Sequence, residues 1–202
     1  MAATTDIIVD VNDLVVKYGD RTVLQDIDIQ IHRGETFVIL GGSGCGKSTL
    51  LRNLSGLMRP HSGQIMLDGQ DFTAMSDDER VSVRKKIGMC FQGSALFGSM
   101  TVGENVALPL REHTKLESSI IDIMVKIKLE LVGLSGFEDY MPSELSGGMK
   151  KRVGLARAMA MDPEILFCDE PGAGLDPITA AEIDQLLLTV NESLGTTLVV
   201  VT

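Results

Sequence analysis

The chain has 202 residues, of which 44% are hydrophobic and 23% are charged. This length is ordinary for one globular domain with a substantial core and short for two domains. The formal net charge of −10 argues against a nucleic acid partner, because nucleic-acid-binding surfaces carry an excess of Lys and Arg. Three cysteines without metal-ligand spacing predict reduced thiols in a cytosolic protein.

The first predicted elements are antiparallel strands before residue 33. Ile27, Ile29 and Ile31 alternate with polar residues, which is the period of a strand with one wet face. Three later runs are apolar on both faces, which predicts central strands of a parallel sheet. These runs are residues 36–40, 165–168 and 197–201, and shorter strands are predicted at 63–69 and 87–91.

Helix starts are marked by capping residues. The pairs Ser76 with Glu79 and Thr101 with Glu104 have the spacing of a capping box. Asp176 precedes a proline, as expected of an N-cap followed by proline at the first helical position. Between these starts, residues 102–161 lack convincing strands, so they predict a helical lobe.

A glycine-rich stretch follows the apolar run at 36–40 and has the spacing of a phosphate-binding loop. Its backbone N–H groups can face one anion, Lys47 adds charge for the β- and γ-phosphates, and Ser48 offers a hydroxyl to Mg²⁺. The next residues predict a helix whose positive end points at the phosphates. A plain glycine-rich turn is the alternative, but the Lys-Ser pair favours a site for a nucleoside triphosphate. The predicted contacts are Gly41, Gly42, Ser43, Gly44, Cys45, Gly46, Lys47, Ser48 and Thr49.

A second motif is the apolar strand at 165–168, which ends in Asp169 and Glu170. Asp169 is predicted to hold Mg²⁺ beside Ser48. Glu170 can leave the line of the strand and polarise an attacking water as a general base. Taken alone, this motif is also compatible with a strand that ends in a solvated acidic turn.

The third motif is Ser146-Gly147-Gly148, which precedes a helical run. It offers a hydroxyl and bare N–H groups at a helix N-terminus, although a lone Ser-Gly-Gly is an ordinary helix cap. Because it lies between the phosphate loop and the acidic strand, the chain resembles the ATP-binding subunit of an ATP-binding-cassette (ABC) transporter. The resemblance runs through essentially the whole chain.

The resemblance implies an α/β fold. A P-loop NTPase core with a parallel sheet would carry an N-terminal antiparallel β subdomain and a helical subdomain. We expect residues 1–202 to form one ABC ATPase domain. Residues 1–99 and 162–202 would be the nucleotide-binding core with its antiparallel β flap, and residues 100–161 the helical subdomain.

The resemblance also implies roles for single residues. Tyr18 would stack on adenine, although a strand aromatic in a small core is the alternative. Gln92 would contact the metal and the attacking water, with Glu170 as the catalytic base. Asp176 would lie in a loop that crosses to the opposing subunit. The cofactors implied are ATP and Mg²⁺, with Ser48, Gln92 and Asp169 at the metal.

In this family two copies meet head to tail, so the resemblance implies a homodimer. ATP would lie between the phosphate loop of one copy and Ser146-Gly147-Gly148 of the other. ATP would then favour the closed state. The partner implied is an integral membrane permease subunit. The chain would work at the cytoplasmic face of the inner membrane and be cytoplasmic when isolated.

Four further segments resemble the Mla-type ATPases of bacterial phospholipid transporters, which work with Mce-domain proteins. They are residues 91–97, 109–114, 141–146 and 169–179. Ala95, Leu96 and Phe97 are candidates for contact with the permease. The alternative is that these segments only pack the two lobes together.

The chain departs from the family pattern in several places. Met149 stands where glutamine is usual, and Gly42 where proline is common. Cys45 is either an alkylatable thiol at a positive helix start or a small residue that fits. Family members continue into a histidine near the γ-phosphate. None of the chain's histidines (His32, His61 and His113) can fill that role by position, so we expect a fragment that binds ATP but hydrolyses it weakly.

Two other functions remain open. One is a soluble ABC-type ATPase for chromosome or repair work, which would require a long coiled coil between Gln92 and Leu145; that interval has no sustained heptad repeat. The other is a non-catalytic, nucleotide-dependent interaction module.

Overall fold

The computed structural model describes residues 6–202. The strands are β1 (Ile7–Tyr18), β2 (Arg21–His32), β3 (Thr36–Ile39), β4 (Ser62–Leu67), β5 (Gln70–Asp71), β6 (Ile87–Cys90), β7 (Ile165–Asp169) and β8 (Thr197–Val201). The helices are α1 (Lys47–Leu54), α2 (Asp77–Arg84), α3 (Val102–His113), α4 (Ser118–Leu131), α5 (Gly147–Ala158) and α6 (Pro177–Leu194), with a 3₁₀ turn at Pro142–Glu144.

Two four-stranded sheets form the α/β architecture. The first has the order β2-β1-β4-β5 and is antiparallel. The second has the order β3-β8-β7-β6 and is parallel. One core lies where the antiparallel sheet and α1 pack on the parallel sheet, with Leu14, Leu51 and Phe167 almost fully buried in it. The predicted fold class is therefore confirmed.

The position of β3 corrects one prediction. The apolar run at 36–40 predicts a central strand, but β3 lies at the edge of the parallel sheet in the described part of the chain, with β8 beside it. Val38 is 48% exposed and Leu40 is 74% exposed. An apolar run shows that a segment tolerates burial on both faces, but it carries no information about which strands become its neighbours.

Residues 102–158 contribute α3, α4, the 3₁₀ turn and α5, and no strand lies in this interval. A second core joins these helices to the parallel sheet and α6. Its buried side chains include Val106, Leu110, Leu129, Val153 and Ile183.

The predicted capping residues begin three helices. Ser76 accepts from the backbone N–H of Glu79 at the start of α2, and Thr101 accepts from the N–H of Glu104 at the start of α3. In both pairs the glutamate side chain returns a contact to the cap, so both capping boxes are confirmed. Asp176 caps α6, as predicted. None of the helices in residues 6–202 combines the length and the apolar character needed to cross a membrane.

A cluster of five charges joins the two sheets on the side where β6 and β7 begin. The Arg33 guanidinium contacts Asp6 at 2.7 Å, Asp68 at 2.5 Å and Glu164 at 2.7 Å. Lys86 pairs with Asp68 and Glu164 at 2.9 and 3.0 Å. Hydrogen bonds from Lys86 and Arg33 lower the pKa of Asp68, and the same two cations lower the pKa of Glu164.

We expect the Arg33→Met substitution to lower the free energy of unfolding by about 1–2 kcal/mol, because three carboxylates lose one shared cation. The matched control is Arg59→Met, since among the described residues Arg59 pairs with one exposed carboxylate, that of Asp77, and donates weakly to the Met75 carbonyl. Its effect should stay within about 0.5 kcal/mol. Urea denaturation measures both values. Equal losses in the two variants would show that the cluster adds nothing beyond one surface pair.

Candidate nucleotide-binding site

The phosphate loop connects β3 to α1, in the strand-loop-helix context that the sequence predicts. Gly46 is the N-cap of α1 and has φ 105°, a backbone conformation that residues other than glycine rarely adopt. A methyl group at this position would also lie 2.9 Å from a Leu24 Cδ atom. The loop therefore depends on glycine here, and α1 begins at Lys47 with its free N–H groups at the loop.

Lys47 is buried, with 8% of its surface exposed. Its Nζ donates to the carbonyl oxygens of Gly41 at 2.6 Å and Gly42 at 3.2 Å. The same Nζ lies 3.9 Å from a carboxylate oxygen of Glu170. The loop thus positions one ammonium group between its own carbonyls and an acid, where it can exchange these contacts for phosphate oxygens.

Ser48 and Asp169 meet across the sheet edge. The Ser48 hydroxyl donates to Oδ1 of Asp169 at 2.8 Å, and Asp169, the last residue of β7, is 5% exposed. A hydroxyl and a carboxylate are hard oxygen ligands that fit Mg²⁺, which keeps several waters and takes further oxygens from phosphates. Within the described residues no cluster of three or more His, Cys, Asp or Glu side chains could form an all-protein metal cage.

Glu170 leaves the line of β7. Its φ of 45° lies in the left-handed region, which costs a residue with a side chain about 1–2 kcal/mol. Its N–H donates to the carbonyl of Val201 at 2.9 Å, and its carboxylate accepts from Nε2 of Gln92 at 2.9 Å. The structure therefore brings Glu170 together with Gln92 and Lys47, three residues that the sequence predicts separately.

Two cations of α5 make contacts that sequence reasoning missed. Lys151 donates through Nζ to the carbonyls of Gln92 and Glu170, and burial lowers the pKa of its ammonium. Arg157 donates to the carbonyls of Ser94 and Ala95, each at 2.7 Å. In the sequence these cations are part of a basic helical run. Their partners are main-chain carbonyls, which every residue has, so no sequence motif marks these contacts.

Ser146 caps α5 and accepts from the N–H of Met149 at 3.3 Å. Gly147 is exposed, whereas Gly148 is buried against α6: a methyl group there would lie 2.6 Å from Cγ2 of Thr179. Across residues 6–202, no hydrogen bond joins 146–148 to the phosphate loop. Packing against α6 thus requires a glycine at position 148.

Asp176 and Tyr18 lie at element ends. Asp176 accepts from the N–H groups of Ile178 and Thr179 and from the Thr179 hydroxyl, and these contacts lower its pKa. Tyr18 ends β1, is 47% exposed and points its hydroxyl to the sulfur of Met58 at 3.2 Å. No hydrogen bond or ion pair in the described part of the chain joins either residue to Lys47 or Glu170, so their predicted roles stay predictions.

A groove of about 460 Å³ opens beside the loop that follows Gln92. Ala95 and Phe97 line it, and Phe97 is 49% exposed. Leu96 turns the other way and packs against the helical core. Of the three candidates for partner contact, the structure leaves Ala95 and Phe97 on the surface. Cys45 is exposed and free.

Comparison with known proteins identifies the family. The ABC transporter family model matches residues 24–173, and the chain belongs to this family. It is 46% identical over 194 residues to mkl of Mycobacterium tuberculosis, whose name describes a probable ribonucleotide transport ATP-binding protein. It is 45% identical over 194 residues to the Escherichia coli intermembrane phospholipid transport system ATP-binding protein MlaF. Both matches cover 96% of this chain, with 54% of mkl and 72% of MlaF.

Solved structures agree with the fold. The ATP-binding cassette MJ0796, in a dimeric post-hydrolysis state bound to ADP and Pi, superposes with a TM-score of 0.87 at 35% identity, covering 96% of this chain and 87% of that one. The cbiO1 protein of Clostridium perfringens gives a TM-score of 0.88 at 36% identity, covering 98% and 78%. The chain spans about half the length of the first curated relatives it matches.

We expect the Gly148→Ala substitution to lower the free energy of unfolding by about 1–2 kcal/mol, because its methyl group would overlap Thr179. Adding Thr179→Ser removes the opposing methyl and keeps the hydroxyl that contacts Asp176, so the double variant should recover most of the loss. Gly147→Ala is the matched control, since its methyl group would lie 3.5 Å from Leu175, an ordinary contact. A double variant no more stable than Gly148→Ala alone, measured by thermal unfolding, would exclude this steric explanation.

Proposed function

We propose that this chain is the ATP-binding and ATP-hydrolysing subunit of a bacterial ABC transporter. One observation carries the proposal: the Glu170 carboxylate lies beside both Lys47 and Gln92, at the sheet edge where Ser48 contacts Asp169. A phosphate-binding loop alone would support nucleotide binding. A carboxylate directed towards the end of that loop adds the group that hydrolysis requires.

Each residue has a role in this proposal. The loop N–H groups and Lys47 bind the β- and γ-phosphates, and Tyr18 stacks on adenine. Ser48, Asp169 and Gln92 would hold Mg²⁺, which would neutralise charge on the phosphate oxygens when bound. Glu170 accepts a proton from the attacking water while Gln92 orients the carboxylate. The water oxygen bonds to the γ-phosphorus, the bond to the β-phosphate oxygen breaks, and ADP and phosphate leave.

The proposed active unit is a head-to-tail homodimer. Across residues 6–202 no hydrogen bond joins Ser146, Gly147 or Gly148 to the phosphate loop of the same chain, so we infer that a second copy supplies them to the nucleotide. The related cassette MJ0796 is a dimer in its post-hydrolysis state with ADP and Pi bound, which supports a dimer here. Asp176 would then line the boundary between the copies.

Replacing Glu170 with Gln should reduce ATP hydrolysis by about a hundredfold or more while ATP still binds, because the amide cannot accept the proton from water. ATP should then hold the variant as a dimer, measured by size-exclusion chromatography with light scattering. Adding Ser146→Arg should abolish that dimer without abolishing ATP binding to the monomer.

Two results would contradict the proposal. Unchanged phosphate release by the Glu170→Gln variant would indicate a nucleotide-dependent interaction module with no catalytic carboxylate. An ATP-bound dimer that tolerates Ser146→Arg would remove Ser146 from the shared site. A coiled-coil ATPase for chromosome work has little support, because the helices between Gln92 and Leu145 are α3 and α4, of 12 and 14 residues.

The proposed partner is a membrane permease, which would hold the chain at the cytoplasmic face of the inner membrane, and a Mce-domain protein would complete the transporter. The groove beside Phe97 fits an apolar segment of such a partner, since Phe91 and Phe97 are both exposed there. The proposed cargo is phospholipid. This cargo is supported by the names of the two MlaF relatives, which describe an intermembrane phospholipid transport system. The matches cover 72–74% of each MlaF chain, against 54% of mkl of Mycobacterium tuberculosis.

Phe97→Ala should reduce the amount of integral membrane protein that copurifies with the subunit by about tenfold, because an exposed aromatic at the centre of an interface carries much of its binding energy. ATP binding should not change. Ile127→Ala is the control, since Ile127 is similarly exposed on α4. Retention of the permease by Phe97→Ala would exclude this groove, and a complex that copurifies with nucleotide and no lipid would contradict the phospholipid cargo.

A further inference from the structure

One face of α5 contacts the loop that follows Gln92. Lys151 and Arg157 together donate to three carbonyls of this segment, those of Gln92, Ser94 and Ala95. Between these cations, a methyl group on Gly154 would lie 3.3 Å from the Ser94 carbonyl oxygen, so the helix backbone approaches the loop closely. The loop is therefore held along α5 by main-chain contacts.

Lys151 differs from Arg157 because it also reaches a second segment. Its Nζ donates to the Glu170 carbonyl at 3.3 Å as well as to that of Gln92. Gln92 follows β6 and Glu170 follows β7, so one ammonium group joins the ends of two neighbouring strands. These are the residues whose side chains meet at 2.9 Å.

The contact bears on the direction of the Glu170 side chain. Glu170 has a left-handed backbone, so its carbonyl and carboxylate directions depend on the surrounding contacts that stabilise this conformation. Its N–H is held by the Val201 carbonyl, and Lys151 holds the carbonyl on the other side. A charge-assisted hydrogen bond in a partly buried place is stronger than a neutral one.

We propose that Lys151 is a positioning residue for ATP hydrolysis: by binding the carbonyls of Gln92 and Glu170, its ammonium group sets the orientation of the Glu170 carboxylate and of the Gln92 amide that donates to it. The inference rests on the proposed function of the same site. Lys151 touches neither nucleotide nor water in this role. It acts through Glu170 and Gln92, and it lies on the helix that Ser146 begins.

The test compares Lys151→Met with Lys150→Met in the transporter complex isolated with its native partners. Both variants remove one ammonium from α5, but in the described structure the Lys150 side chain makes no hydrogen bond or ion pair. We expect Lys151→Met to lower kcat by about ten- to a hundredfold, since small misplacements of catalytic groups have effects of this size. KM and the affinity for a non-hydrolysable ATP analogue should stay within about twofold, because the phosphate contacts are untouched.

Lys151→Arg should restore part of the turnover, because a guanidinium can still donate to both carbonyls. Rates are expressed per analogue-binding site, so unfolded protein does not enter the comparison, and Lys151→Gln replaces Lys151→Met if the latter does not fold. Equal kcat values for the Lys151→Met and Lys150→Met variants would overturn this inference and leave the proposed function standing. A parallel loss of analogue affinity would show a structural role and overturn it too. A wild-type complex without ATPase activity would contradict the proposed function and the inference with it.

Discussion

The hydrogen bond between the Ser48 hydroxyl and the Asp169 carboxylate is the contact on which the candidate site depends. It joins the first turn of α1 to the last residue of β7, which lie 121 positions apart in the chain. The two groups meet because β3 and β7 belong to one parallel sheet, and the carboxyl ends of parallel strands share an edge. Lys47 precedes Ser48 in the chain, and Glu170 follows Asp169. The same arrangement therefore places the Lys47 Nζ 3.9 Å from a carboxylate oxygen of Glu170.

Main-chain contacts determine much of the geometry around this bond. The Lys47 ammonium is held by two carbonyls of its own loop. Glu170 adopts a left-handed backbone that is stabilised by Val201 on one side and by Lys151 on the other. Backbone groups move less than long side chains, so such contacts can orient the proposed catalytic groups before substrate binds. The strained conformation of Glu170 is compatible with a site whose surroundings over-determine it.

The helical region adds a second set of constraints. Gly148 packs against Thr179, which in turn donates to Asp176 at the start of α6. The segment that begins with Ser146 is therefore connected by packing to the start of α6, although across residues 6–202 no hydrogen bond joins 146–148 to the phosphate loop of the same chain. This separation is the reason for proposing that two copies complete one nucleotide site. In such a dimer, α5 would connect two nucleotide sites: its first residues, after Ser146, would contact the nucleotide of the partner copy, and Lys151 would contact Gln92 and Glu170 at the site of its own chain.

Features that depend on neighbouring residues could be predicted from the amino-acid sequence alone. These are the phosphate loop before α1, the acidic end of β7, and the caps at Ser76, Thr101 and Asp176. Such features are readable because spacing along the chain fixes their local geometry. The edge position of β3, the packing role of Gly148 and the contacts of Lys151 became visible only in the folded chain. Each of these depends on residues that approach from distant parts of the chain, and neither periodicity nor spacing records which distant segments become neighbours.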